Sequence, residues 1–369
     1  MDEVVIKKIF KPVIMQHYSS SQINDGGPAT GAVMLINSYL KDKYDFILLD
    51  QTFAPHGLNI RLLLDFYKKI KKAKPDILHI RGLQSEGLYG VVAGKLAGCK
   101  RIVVSVHGIY SDCIGIKGFK KYLFLKIIEP LTLRLADLVY CVCEYATKRQ
   151  IIVKNAKHLF GYIHNAAPDY SSLDREVCRN QIRSNYKIGD KDIVITTVSR
   201  ITEDKGFATL MEAIKKSENR KNVIYLIVGD GKYLDVLKIS LSSEIQKGTV
   251  LLLGKSAQVP EILLASDIFV FPSLHENLSN SLLEACAASL PCIVTNVGGN
   301  PEVIINNHSG IIIEPNNPAK LSDAIEKLVN SKKLRTLYGM QAQKRMEEYF
   351  SKRMIFEKIS TAYDSLLNI

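Results

Sequence analysis

Twelve short runs dominated by Val, Ile and Leu recur along the 369-residue chain, separated by amphipathic stretches. In the first half they are PVIMQHY, DFILLDQ, DILHIRG, RIVVSVHG, DLVYCVCE and HLFGYIHN. In the second half they are DIVITTVSR, VIYLIVGDG, TVLLLGK, DIFVFPS, PCIVTNVGG and SGIIIEP. A strand with one face in water alternates apolar and polar residues. A continuous apolar run is instead covered on both faces, as in parallel sheets flanked by helices. Segments such as RLLLDFYKKIKKAK, lying between the runs, have helical spacing. The pattern therefore predicts an α/β protein of two doubly wound parallel-sheet (Rossmann-like) domains. The length agrees, since cores stop growing at about 250–300 residues. A polar connector, residues 165–190, has turn chemistry followed by a short helical stretch. We place the first domain at residues 1–168 and the second at 169–349.

Other features narrow the function classes. The opening MDEVVIKKIF lacks the apolar core of a secretory leader, and no apolar run reaches the roughly 18 residues needed to span a bilayer. The expectation is a cytoplasmic protein. Its seven cysteines include no Cys-x-x-Cys pair, and Cys141 and Cys143 share one strand face, so they read as reduced core thiols. The net charge of +12 is uneven: residues 1–169 hold 24 Lys/Arg against 14 Asp/Glu, and the remainder 25 against 23. A basic first half fits anionic lipid, phosphorylated small molecules or nucleic acid. The last is disfavoured, because no aromatic-interleaved basic motif is present. Residues 117–135, KGFKKYLFLKIIEPLTLRL, set Lys117, Lys120 and Lys121 beside Phe124 and Ile128, which suits either a membrane-surface helix or a buried one.

Parallel sheets bind ligands beyond the carboxyl ends of their strands, so two such domains should face each other across a cleft. Chemistry-bearing residues do cluster there. Glu276 follows DIFVFPS, and Glu284 lies eight positions later, about 80° out of register on a helix. Between them Ser279 or Asn277 can cap the helix, leaving the N–H groups of Leu278, Ser279 and Asn280 open to an anion. A ligand with sugar, phosphates and a second sugar in line would meet one carboxylate at each sugar; the alternative is two surface glutamates. Arg200 ends DIVITTVSR and Lys205 follows, a pair able to clamp a diphosphate unless both are simply solvated. After PVIMQHY, Gly26-Gly27 permits close backbone approach to a ligand. It is not the GxGxxG fingerprint, which weakens a dehydrogenase reading. His107, ending RIVVSVHG, can bond a sugar hydroxyl or be structural. Asp190-Lys191-Asp192 formally matches a metal-binding DxD, but it precedes a strand and reads as a turn. No metal site is expected.

Together, SRITEDKGFATLMEAI, LIVGDG, ENLSNSLLEA with its Glu-x7-Glu spacing, VGGNPEVI and SGIIIEP resemble glycosyltransferase family 4, the retaining nucleotide-sugar transferases of GT-B fold. The Gly-Gly loop, His107 and YIHNAAP are similar too, with Ala166 where the family has glycine. Asn277-Leu278-Ser279 stands where Gly-Phe-Gly is common, which leaves sugar specificity open. The resemblance implies that Arg200 and Lys205 bind the donor diphosphate with Gly26, Gly27 and the amides of Leu278, Ser279 and Asn280. Glu284 would hold the ribose, Glu276 the transferred sugar, and His107 the reaction centre. It implies no cofactor and no metal, since the nucleotide sugar, UDP-linked rather than GDP-linked, is a substrate. The acceptor would be a glycan or lipid-linked molecule of surface polysaccharide synthesis, O-antigen or capsule, reached at the inner face of the cell membrane. Residues 350–369 resemble the family's C-terminal helix, which crosses back onto the first domain. The competing readings are a nucleotide-sugar epimerase of the same fold and a non-catalytic two-domain sugar-binding protein.

Overall fold

A computed structural model describes residues 11–19, 28–51, 59–110, 118–216 and 222–368. Every one of the twelve aliphatic runs is a strand. The first sheet contains β1 (Val13–Tyr18), β2 (Asp45–Asp50), β3 (Ile77–Arg81), β4 (Ile102–Val106), β5 (Leu138–Cys141) and β6 (Leu159–Tyr162), in the order β2-β1-β3-β4-β5-β6. The second contains β7 (Ile193–Val198), β8 (Val223–Val228), β9 (Val250–Gly254), β10 (Ile268–Phe271), β11 (Cys292–Thr295) and β12 (Gly310–Ile313), in the order β12-β11-β10-β7-β8-β9. All their pairings are parallel. This is the GT-B architecture of two Rossmann-like sheets. Central strands such as β3, β4, β5 and β10 are buried at every position, whereas the edge strands β2 and β6 are partly exposed because one neighbour is missing.

The helices follow from spacing and capping. In Ile60–Ala73, Leu62, Phe66 and Ile70 recur every four residues and are the buried positions. Asn59 accepts a hydrogen bond from the Leu62 amide at its start, and Lys74 closes its end in the left-handed conformation. Cys141 and Cys143 lie together in the core, and the six described cysteines are all free and buried. Among the described residues no helix is long and apolar enough to cross a membrane.

Strand order locates the ligand sites. In the second sheet, β8 and β9 lie to one side of β7 and β10–β12 to the other, so the chain reverses direction between β7 and β10. In the first sheet the reversal falls between β1 and β3. Connections there leave to opposite faces, opening a crevice at the strands' carboxyl ends.

The two sheets are held in one arrangement by specific contacts. Glu302, in the helix Asn300–Val303, accepts from the amides of Glu144 and Tyr145 and pairs with His164 Nε2, all at 2.8 Å. Asn165 Nδ2 donates to Asn280 Oδ1 at 2.8 Å. The last helix, Lys352–Leu367, lies against the first sheet, with Tyr363 fully buried and Lys43 paired to Asp364 at 2.5 Å.

The basic segment differs from its sequence-based reading. Gly118–Leu123 is α-helical, Phe124–Ile128 takes a π-turn, and Glu129–Leu135 resumes the α-helix. The wider turn rotates Phe124 and Ile128 inward. Phe119 at 78% exposure, Tyr122, Leu125, Ile127 and Leu131 face outward instead, beside Lys120, Lys121 and Lys126. Lys117 lies outside the described residues.

Candidate active site

The loops after β7 and β10 meet at the reversal point of the second sheet. Lys205 closes a 3-10 turn after β7, and Glu276 stands on the loop after β10. Lys205 Nζ forms a tight ion pair with Glu276 Oε1, each side chain 11% exposed, and lies 3.4 Å from Asp204 Oδ2. Ser273 Oγ donates to the same Glu276 oxygen at 3.1 Å. The sequence reading assigns these residues separate partners; the fold pairs them, because adjacent parallel strands set their loops side by side. Asp204 is held below the usual carboxylate range. Burial raises it, but the Thr202 hydrogen bond and the Lys205 and Arg200 charges outweigh that. Arg200 is exposed and has no ion pair among the described residues.

Backbone proximity explains two glycines here. Gly206 has φ +70°, and a Cβ there would lie 1.8 Å from Pro272 O, so the turn carrying Lys205 can press against the β10 loop only without a side chain. Gly298 has φ +54°, and its Cβ would lie 1.8 Å from Glu276 O.

Ser279 caps the helix Asn280–Ala287 by accepting from the Leu282 amide. None of the Leu278, Ser279 and Asn280 amides donates a hydrogen bond among the described residues. These are the orphan donors that make a helix start an anion site. Glu284, one turn further, is partly buried and accepts no side-chain hydrogen bond among the described residues. Burial pushes its carboxyl up to about 7. It is therefore not an ordinary solvated surface glutamate.

From the first domain, His107 follows β4 and approaches the same region: Asn277 Nδ2 donates to the His107 carbonyl at 3.4 Å. The half-buried His107 ring bonds Ser105 Oγ through Nε2 at 3.1 Å. Burial and the nearby Arg81 charge lower its pKa to about 3, so the ring is neutral. Gly26 and Gly27 lie outside the described residues. Asp192 serves a turn before β7, at the opposite end of the sheet, where Oδ2 accepts from the Gly189 amide. Among the described residues no three His, Cys, Asp or Glu side chains cluster as metal ligands.

Sequence reasoning missed the contacts made across domains. Asn277, Asn280 and Glu302 fall inside recognised motifs, but their partners His107, Asn165 and His164 are far away in the chain. No local signal links them.

Two Rossmann-like parallel sheets, with Arg200, the Lys205–Glu276 pair and open helix-start amides beyond the strands of the second, match the architecture of GT-B glycosyltransferases. Comparison with known proteins supports and sharpens this. Residues 179–345 match the model for glycosyl transferases group 1, and residues 45–155 match that for glycosyltransferase family 4. The UDP-Gal:alpha-D-GlcNAc-diphosphoundecaprenol alpha-1,3-galactosyltransferase of Escherichia coli is 30% identical over 287 residues, 75% of this chain and 72% of that protein. The capsular polysaccharide biosynthesis glycosyltransferase CapM of Staphylococcus aureus is 28% identical over 327 residues, 84% of this chain and 82% of its own. Among solved structures, Anabaena HepE in complex with UDP and glucose superposes with a TM-score of 0.80 at 17% identity, covering 96% of this chain and all of that one. The chain belongs to glycosyltransferase family 4.

Proposed function

We propose that this glycosyltransferase moves a hexose, with retention of configuration, from a UDP-sugar to a lipid-linked glycan acceptor during surface polysaccharide synthesis. The observation that carries the reading is convergence at one point of the second sheet. Arg200 and the open amides of Leu278, Ser279 and Asn280 offer hydrogen-bond donors to an anion there, beside Lys205, whose charge Glu276 and Asp204 share. Departure of a nucleoside diphosphate builds negative charge on phosphate oxygens as the sugar becomes oxocarbenium-like. Preorganised donors aimed at that charge stabilise the transition state. The same donors support a metal-independent reaction.

Glu284, with no side-chain hydrogen bond among the described residues, suits the ribose hydroxyls, and Glu276, oriented by Lys205 and Ser273, suits the transferred sugar. Retention through a covalent intermediate uses facing carboxyl groups about 5–5.5 Å apart. Glu276 is instead committed to Lys205 and Ser273, which favours same-face attack, with a leaving-group oxygen taking the acceptor's proton. UDP is preferred because the E. coli relative's name specifies UDP-Gal and the HepE structure contains UDP. A diphosphoundecaprenol acceptor, as in that relative's name, resides on a membrane. The exposed Phe119, Tyr122, Leu125 and Ile127 beside Lys120, Lys121 and Lys126 suit contact with an anionic bilayer. This supports action at the cytoplasmic membrane face.

The test is to incubate the purified protein with a panel of UDP- and GDP-sugars, with and without a diphospholipid-linked acceptor sugar. Transfer that requires the acceptor and is lost in Arg200→Ala is expected. Conversion of the donor's sugar without acceptor would indicate an epimerase. Sugar binding that survives Arg200→Ala, with no turnover, would indicate a binding protein.

A further inference from the structure

The C-terminal helix reaches the centre of the first sheet and touches a polar chain that ends at His107. Tyr363 Oη lies 2.7 Å from both Gln16 Nε2 and His79 Nδ1. His79 Nε2 lies 3.1 Å from Ser105 Oγ, which lies 3.1 Å from His107 Nε2. Gln16 Oε1 accepts from Arg81 Nη2 at 3.0 Å. Gln16, His79, Ser105 and Tyr363 are completely buried, and Arg81 is 6% exposed. A buried polar chain of this kind must be satisfied at each link, so its direction can be worked out.

The guanidinium of Arg81 only donates. The Gln16 oxygen must therefore face it, and the Gln16 amide nitrogen then donates to Tyr363 Oη. The phenol's single proton goes to His79 Nδ1, its remaining partner among the described residues. His79 then carries its own proton on Nε2 and donates to Ser105, with Tyr140 Oη sharing that donor at 3.3 Å. The acceptors near the Ser105 hydroxyl are His107 Nε2 at 3.1 Å, the Ile80 carbonyl at 3.5 Å and Tyr140 Oη, the last already taking a share of the His79 proton. The shorter bond takes the proton. A neutral His107 accepting at Nε2 must be protonated at Nδ1, and among the described residues the ring's one side-chain hydrogen bond is the Nε2 bond to Ser105.

We propose that Tyr363 is a positioning residue for His107: through His79 and Ser105 the C-terminal helix holds that imidazole as the Nδ1–H tautomer and presents a fixed hydrogen-bond donor to an oxygen of the transferred sugar. The inference rests on His107 lying at the reaction centre, as proposed above. Burial and the Arg81 charge lower both His79 and His107, which keeps the relay neutral. The last helix, beyond packing against the first sheet, then helps to set the geometry of the reaction centre.

The test combines nitrogen NMR of the full chain carrying 15N-histidine with steady-state kinetics. The His107 signals are identified by their loss in His107→Gln. The unmodified protein should show His107 protonated at Nδ1. Tyr363→Phe and Ser105→Ala should each release that tautomer and lower kcat about tenfold, the scale of one neutral hydrogen bond, with donor KM little changed. Tyr44→Phe removes a hydroxyl that bonds Ser360 and Asp364 on the outer side of the same helix, and should leave the His107 signals unchanged. An Nε2-protonated His107, or an unaltered tautomer in both relay variants, overturns the proposal. A released tautomer with undiminished kcat overturns the catalytic role of the positioning. Absence of turnover in the unmodified protein would refute the transferase reading instead, and the NMR result would still decide the relay.

Discussion

The ion pair between Lys205 and Glu276 makes a prediction that separates stability from catalysis. Lys205→Met keeps the aliphatic stem and removes the charge. It leaves Glu276, and Asp204 at 3.4 Å, facing the vacated position without a cation. Each member of the pair is 11% exposed, so water compensates little. Unit charges at about 4 Å attract by about 4 kcal/mol at an effective dielectric of 20. Removing one partner of a buried pair costs about 3–5 kcal/mol. The Ser273 hydrogen bond survives, so we expect a loss near the low end, about 3 kcal/mol. Adding Glu276→Gln removes the stranded charge and should restore more than half of that loss. Activity should behave differently: on the proposed role of Lys205 in binding the donor diphosphate, both variants lack that cation, and kcat should fall about 10²–10³-fold in each. The chain has no tryptophan, so unfolding in urea is followed by far-UV circular dichroism, beside a donor-consumption assay. A double variant no more stable than Lys205→Met would refute the argument, as would a single variant within about 0.5 kcal/mol of the unmodified protein.

Other sites give further expectations. Glu284, raised to about 7 by burial, should contribute its full stability below the unfolded carboxyl value of about 4.3 and lose it as pH rises to about 7. Glu284→Gln should abolish that slope; on the proposed ribose-binding role, it should also remove a fall in donor KM expected of the unmodified protein as pH rises through about 7 and the carboxylate forms. Burial would raise Glu302, but bonds from His164 and the Tyr145 and Glu144 amides outweigh it and lower its pKa, so its stabilisation is present above the unfolded value and fades as pH falls through the lower folded one. Glu302→Gln should therefore cost about 2 kcal/mol near neutrality, with the difference in urea midpoint closing below about pH 4. Flotation with vesicles containing anionic lipid should recover the unmodified protein and recover much less of a Phe119→Ser/Tyr122→Ser variant; equal recovery would remove this segment from the membrane reading.

The strands were legible because burial on both faces leaves a one-dimensional mark. All twelve aliphatic runs are strands, and DIFVFPS is buried throughout β10. The basic segment shows where such reading stops. Phe124 and Ile128 lie in sequence where a regular helix would set them beside the lysines, but a π-turn changes the angular step and turns them inward. Main-chain hydrogen bonding decides that turn, and hydropathy does not record it. Arg200, Lys205 and Glu276 were individually visible as residues following strands, and Glu284 as a residue in the next helix. Their mutual arrangement was not, since Lys205 and Glu276 are 71 residues apart and pair only because β7 and β10 are adjacent.

From its sequence alone this protein was determined to be two parallel α/β sheets with charged residues at the strand ends, because aliphatic continuity and turn chemistry act over a few residues. Tertiary structure decided which of those ends share a crevice, how Glu302 joins the two sheets, and that Tyr363 lies in the same polar chain as Ser105 and His107. Those outcomes depend on strand order and on the return of the last helix, and contacts across hundreds of residues have no local signature.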